Sequence, residues 1–148
     1  MRMSIFVNDV EITDTEVGQE MQYHPAASRE RAWQMAAQSL VVRQLLLQHA
    51  ANGGLNLREA EEDIIDQLLQ QDVTVPEADE ATCLRFYAAH PDSFMDTESD
   101  KRLTFVQAQA HIRDYLHTKA MRLAVAEYIK ALSYSADIKG YELSSPGM

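Results

Sequence analysis

The residue types that ordinarily carry chemistry are present in this chain, but not at the spacings that chemistry requires. There are five histidines, His24, His49, His90, His111 and His117. None stands in a His-Glu-x-x-His pattern, and His111 and His117, six apart, do not share a helical face. They read as surface or capping histidines, and no metal or other cofactor is expected. Cys83 is the one cysteine, so no internal disulfide can form. It sits in a predicted helix with no basic residue before Arg85 and reads as a small hydrophobe, not a reactive thiol. Glu59 to Glu80 carries nine carboxylates and no Lys or Arg. The Asp-x-Asp-x-Asp-Gly spacing of a calcium loop is missing, and acids suit the helix N-termini that fall in this stretch. A solvated acidic face is the expectation, with a docking face for a basic partner as the alternative. Gly53-Gly54 follows a helix where a phosphate loop would open one, and there is no Gly-x-Ser-x-Gly. The chain is not expected to be an enzyme.

A second set of residues suits binding. Tyr23, Trp33, Phe86, Tyr87 and Phe94, together with Met35, have the adaptable apolar surface of a peptide-binding groove. Any one of them taken alone reads as core. As a group on a small domain, some of them are expected to be exposed.

Bulk properties narrow the partners. The 148 residues suit a single domain, and 46% hydrophobic with 24% charged residues suits a globular fold. A net charge of −10 argues against nucleic acid, whose phosphates demand Lys and Arg, and against an anionic membrane surface. No apolar run has the length of a signal peptide or a membrane span, so a cytoplasmic location is expected.

The elements that must position these residues can be read in order. Ile5-Phe6-Val7 and Val10-Glu11-Ile12 are β-prone, and Asn8-Asp9 between them suits a two-residue turn. Thr13 to Glu16 is a capping box opening a short helix from Asp14 to about Tyr23, with Val17 and Met21 inward and Pro25 beyond its end. Ser28 caps a long helix that Asn52-Gly53-Gly54 stops. Its apolar residues (Ala32, Met35, Ala36, Leu40, Val41, Leu45, Leu46 and Ala50, widened by Trp33, Ala37, Val42 and Leu47) exceed a single ~100° stripe. That helix therefore needs neighbours on more than one side. Asn56 to Glu59 predicts another capping box and a helix over Leu57–Gln71, with Ala60, Ile64, Leu68, Ile65 and Leu69 on one face. A further helix is predicted over Glu77–Ala89, with Pro76 in its first turn and an apolar side of Ala81, Leu84 and Ala88 with Cys83, Phe86 and Tyr87. Pro91 to Arg102 reads as a loop. Thr104 to Gln107 is a third box, opening a helix from Phe105 to about Ala136. Its apolar face is expected at Val106, Ala110, Tyr115, Leu116, Leu123, Ala126, Ile129 and Leu132. Asp137 to Leu143 alternates and is the natural third strand for the N-terminal hairpin, which would be marginal alone. Ser144 to Met148 reads as a disordered tail. The expected fold is mainly α, with about five helices around a long central helix and a small three-stranded sheet made by the two termini. One domain spans 1–148: an N-terminal portion over 1–91, a loop over 92–103, and a closing helix and strand over 104–143.

This pattern resembles the N-terminal chaperone region of parvulin-type peptidyl-prolyl isomerases, in the NifM-like cytoplasmic branch and, more distantly, SurA-like proteins. The resemblance runs through Val7 to Thr13, Glu20 to Pro25, Ala36 to Ala50, Ala60 to Leu69 and Val75 to Tyr87. It continues through Thr104-Phe105, Ile112, Leu116, Tyr128-Ile129, Leu132 and Ala136 to Gly140. In such proteins a catalytic domain sits between the helical N-terminal region and the closing helix. Here only Pro91 to Leu103 occupies that junction, and the family's catalytic residues have no positions to map onto. The resemblance implies a non-catalytic chaperone or assembly factor that holds an unfolded or partly folded client. Its client face is expected at the Trp33 end of the long helix, near Tyr23 and the Pro91–Leu103 loop. The alternatives are residual prolyl isomerase activity, or a structural module that dimerises by exchanging the closing helix.

Overall fold

The computed structural model describes residues 4–143; the tail expectation for Ser144 to Met148 lies outside them. Two compact units divide the chain. The first unit comprises Met1–Val73 with Val125–Met148, and the inserted unit comprises Thr74–Ala124. The described residues are mainly helical, with five α-helices and a small three-stranded antiparallel sheet.

The first unit is built on local signals that hold. Strands β1 (Ile5–Val7) and β2 (Val10–Ile12) pair antiparallel, with Val7 opposite Val10. The turn between them requires a left-handed residue, and Asn8 supplies it with φ 54°. Ile5, Val7 and Ile12 are buried. Thr13 and Glu16 complete the capping box of α1 (Asp14–Glu20), which continues as a 3-10 turn over Met21–Tyr23. The Ser28 hydroxyl caps α2 (Arg29–Asn52) by accepting from the Arg31 N–H at 3.1 Å. Gly54, at φ 81°, ends that helix in the left-handed conformation glycine tolerates.

Helix α2 packs on more than one side within its unit, as its wide apolar surface requires. Toward the hairpin and α1 it buries Ala36, Ala37, Val41 and Leu45 against Ile5, Val7, Ile12 and Val17. Leu46 and Ala50 instead join Ile64 and Leu68 of α3 (Glu61–Asp72) and Ile129 of α5 (Phe105–Tyr134). The closing strand β5 (Ile138–Lys139) pairs with β1, giving the sheet order β2-β1-β5. Asn8 ties this closure: its N–H donates to the Asp137 carbonyl at 2.7 Å, and its side-chain oxygen accepts from the Asp137 N–H at 2.9 Å. Gln48 of α2 donates to the Val7 carbonyl at 3.1 Å and accepts from the Asn8 amide at 2.8 Å. The hairpin therefore leans on both a helix and a third strand.

Three expectations are corrected. Asn56 does not cap a helix at Leu57. Its side chain accepts from the Arg58 N–H two residues on, at 3.0 Å, the turn that Asn favours over a helix start. Helix α3 begins instead at Glu61, with Glu61, Glu62 and Asp63 in its first turn. Helix α4 begins at Glu80, not Glu77. The Asp79 side chain caps it by accepting from the Thr82 N–H at 2.8 Å, a better N-cap than Pro76 can offer. The Pro91–Arg102 stretch contains a second hairpin, β3 (Met95–Asp96) and β4 (Lys101–Arg102), with Met95 opposite Arg102.

The inserted unit contains α4 (Glu80–Ala89), this hairpin and the Phe105–Ala124 stretch of α5. Its buried apolar residues are Cys83, Phe94, Ala108 and Ile112. The third capping box forms as expected: the Thr104 N–H donates to Gln107 at 2.9 Å, and the Gln107 N–H donates to the Thr104 hydroxyl at 3.3 Å. No helix among the described residues is long and apolar enough to cross a membrane.

Candidate polypeptide-binding site

The five candidate binding residues fall into two sets, one in each unit. Tyr23 and Trp33 belong to the first unit. Tyr23, at the end of the 3-10 turn, is 70% exposed. Trp33 is half-buried against the sheet-side core, with its ring 6.2 Å from that of Tyr141. Tyr141 is held in turn by its hydroxyl, which donates to Gln38 at 2.7 Å.

Phe86, Tyr87 and Phe94 belong to the inserted unit, where the structure brings them together. Helix α4 turns Cys83, Phe86 and Tyr87 inward, while Ala81, Leu84 and Ala88 face solvent. The expected apolar side of α4 therefore divides: three large or buried residues pack, and the remainder are exposed. Phe94 is only 7% exposed. Its ring lies 6.1 Å from Phe86 and 5.6 Å from Tyr87. Phe105 joins Tyr87 at 5.7 Å, and Tyr115 joins Phe86 at 5.4 Å. These separations lie in the range of favourable ring contacts. His90 stacks on Phe86 at 4.1 Å, and its Nδ1 lies 2.8 Å from the Phe86 carbonyl oxygen.

Tyr87 is the junction of the cluster. Its hydroxyl donates to the Leu103 carbonyl, and its own carbonyl accepts from the Arg102 guanidinium. That guanidinium also sits 3.8 Å from the Tyr87 ring centroid, a cation–π contact. Arg102, Leu103, Phe105, Tyr115 and His90 were not among the candidate binding residues. No local spacing links a β-hairpin residue to an aromatic fifteen positions earlier.

The cluster reaches the surface. Leu84, Met95, Val106, Tyr115 and Leu123 of this unit are all exposed, Val106 by 81% and Leu123 by 62%. Residues 74–124 carry eight carboxylates against six Lys and Arg, so most of the chain's negative charge lies elsewhere. Of the expected stripe from Val106 to Leu132, Leu116, Ile129 and Leu132 pack, whereas Val106, Tyr115 and Leu123 are exposed. Ala108, Ile112 and Leu116 pack in the inserted unit, and Val125, Tyr128, Ile129 and Leu132 pack in the first. A helix of this length can serve two parts of a chain, and here its two stretches present different residues to the two cores.

One polar constellation also emerges, in the first unit. The Tyr128 hydroxyl donates to Asp72 Oδ2 at 2.5 Å, and His49 Nε2 lies 3.5 Å from the same oxygen. The rings of His49 and Tyr128 meet edge to face at 6.0 Å. Burial, then the Asp72 hydrogen bond and charge, push the Tyr128 phenol well above its ordinary range. A neutral phenol pinned to a carboxylate ties α3 to α5; it is poorly suited to giving up a proton. Among the described residues, no group of three His, Cys, Asp or Glu is placed to hold a metal ion.

Compared with models of known protein families, with curated proteins and with solved structures, the chain matches none.

Proposed function

We propose that this chain is a non-catalytic polypeptide-binding chaperone or assembly factor, similar to the SurA-like chaperone region of parvulin-type isomerases. It holds an apolar segment of an unfolded or partly folded client. One observation carries the reading: in the inserted unit an aromatic cluster of Phe86, Tyr87, Phe94, Phe105 and Tyr115 reaches the surface at Tyr115, in a unit that also exposes Leu84, Met95, Val106 and Leu123. Aromatic and methionine side chains of this kind accept varied apolar sequences, and large exposed apolar surface marks binding sites. The near-neutral charge of the inserted unit favours apolar contact, while the acidic remainder favours solubility.

The test is suppression of aggregation. A chemically denatured, aggregation-prone model protein is diluted into the full chain, and light scattering is followed. Suppression is expected at equimolar to tenfold excess and is weakened by Phe86→Ala or Tyr115→Ala. No suppression by the wild-type chain overturns the reading. A prolyl-peptide isomerisation assay is expected to show no acceleration, and activity that survives repurification would favour the catalytic alternative.

A further inference from the structure

We propose that the hairpin segment Pro91–Leu103 is a releasable strap over the aromatic cluster of the inserted unit. It detaches as a folded piece and uncovers Cys83, Phe86, Tyr87 and Ile112 for an apolar client segment. This rests on the polypeptide-binding reading and adds how the buried portion of that surface becomes available.

The hairpin holds its own shape. The Asp96 carboxylate accepts from the Glu98 N–H at 3.0 Å and from the Ser99 hydroxyl at 3.0 Å. The Asp100 N–H donates to the Asp96 carbonyl at 2.8 Å, and the Leu103 N–H to the Phe94 carbonyl at 2.6 Å. Every one of these bonds is internal to residues 94–103, so none is lost when the segment moves.

Its polar attachment to α4 is narrow by contrast, and most of it passes through Tyr87. Tyr87 receives the Arg102 guanidinium on its ring and on its carbonyl, and donates its hydroxyl to Leu103. Phe94 adds ring contacts with Phe86 and Tyr87. Strands of two residues contribute little of their own. Of the unit's four buried residues, Phe94 belongs to the segment itself, and Cys83, Ala108 and Ile112 belong to α4 and α5. Opening free energies follow the apolar surface an element buries, so this segment opens well before the whole chain does.

Cys83 supplies the measurement. It is the chain's one cysteine and is fully buried beneath the cluster, so its reaction with a thiol reagent reports opening of the inserted unit. Trp33, the one tryptophan, reports on the first unit. In the full chain under native conditions, Cys83 labelling is expected through an opening at least about 100-fold more populated than global unfolding. Its dependence on urea is expected to be weak, because a short segment exposes little surface. Arg102→Ala and Tyr87→Phe are each expected to raise the labelling rate about tenfold, while the urea midpoint read by Trp33 fluorescence stays in place. Labelling that follows global unfolding, with the full urea slope, overturns the strap. So does a Trp33 midpoint that moves in step with labelling. Because labelling needs no client, its failure removes the strap alone, whereas failure to suppress aggregation removes the polypeptide-binding reading.

Discussion

The two units hold themselves together by different means. In the first, fourteen apolar residues among those described are buried, all aliphatic or alanine, on a sheet, three helices and a helix end. Its sheet closes by bringing β5 back to β1, so residues more than 120 positions apart share hydrogen bonds. In the inserted unit four residues are buried, and the rest of the cohesion comes from half-buried rings and a two-residue hairpin. Yet that unit carries half of the exposed large hydrophobics among the described residues, Leu84, Met95, Val106, Tyr115 and Leu123. Burial dominates the one unit and exposed apolar surface the other; under the proposed polypeptide-binding reading, the first stabilises and the inserted unit binds. Stability and apolar exposure oppose each other, and the chain separates them along its length.

The strongest way to break this comparison is to remove one buried side chain from each core. Leu68→Ala in the first unit and Ile112→Ala in the inserted unit each lose well-packed aliphatic volume, worth roughly 2–5 kcal/mol. Leu68→Ala is expected to lower the urea midpoint of the whole chain. Ile112→Ala is expected to accelerate Cys83 labelling far more than it moves the Trp33 midpoint. Equal effects of both variants on both probes would mean that the two units unfold as one.

Gly140 tests the closure of the first unit. It adopts φ 82°, and a Cβ there would stand 2.6 Å from the Ser4 carbonyl oxygen. Neither backbone can yield without breaking the β1–β5 pairing. Gly140→Ala is expected to cost about 2–3 kcal/mol, read as a lower midpoint by Trp33 fluorescence with Cys83 labelling little changed. A variant as stable as wild type would show that the β5 return contributes little.

Acid should separate the units in the opposite direction. Hydrogen bonds from Thr82 hold Asp79 below the usual carboxylate range, and those from Glu98 and Ser99 do the same for Asp96. A carboxyl whose folded pKa is depressed adds stability that is present above its unfolded value, near 3.8, and lost as pH falls through the folded one. Asp79 caps α4 and Asp96 organises the hairpin turn, both in the inserted unit. Below about pH 4, Cys83 labelling by an acid-tolerant reagent is expected to rise relative to pH 6. Asp79→Asn and Asp96→Asn should flatten that rise.

What was legible in the sequence was local. The Asn8-Asp9 turn, the boxes at Thr13 and Thr104, the Ser28 cap and the Gly54 stop each depend on residues within a few positions, and each formed. The return of Asp137–Leu143 to the hairpin was also legible, because a lone hairpin needs a partner. The misread packing in the inserted unit is decided by distant residues. Of the expected apolar side of α4, Cys83, Phe86 and Tyr87 pack where Phe94 and Leu103 meet them, while Ala81, Leu84 and Ala88 stay exposed. Phe94 looked like a member of a polar loop until a hairpin folded it into a core. Asn56 shows a local competition instead, where two arrangements of one side chain were open and the shorter turn won. Of the candidate site, Phe86, Tyr87 and Phe94 were visible as residue types. Their assembly, with Arg102 as the clamp, was not, since it depends on a crossing of hairpin and helix that no spacing encodes.

The smallest effect expected lies at the far end of the pH scale and in the other unit. The Tyr128 phenol is raised by burial first and by Asp72 second. A group whose folded pKa exceeds its unfolded value, here 10.0, contributes stability that is fully present below the unfolded value and lost as pH rises through the folded one. Stability of the first unit should therefore be flat from neutrality to about pH 9.5 and decline above it. Tyr128→Phe removes both the hydrogen bond and the titration. It is expected to lower stability by about 1 kcal/mol at neutral pH and to lessen the alkaline decline, as read by Trp33 unfolding curves. Cys83 labelling should not respond, because Tyr128, Asp72 and His49 all belong to the first unit. An alkaline transition that survives Tyr128→Phe and appears equally in Cys83 labelling would place the sensitive group in the inserted unit and erase the contrast between the two.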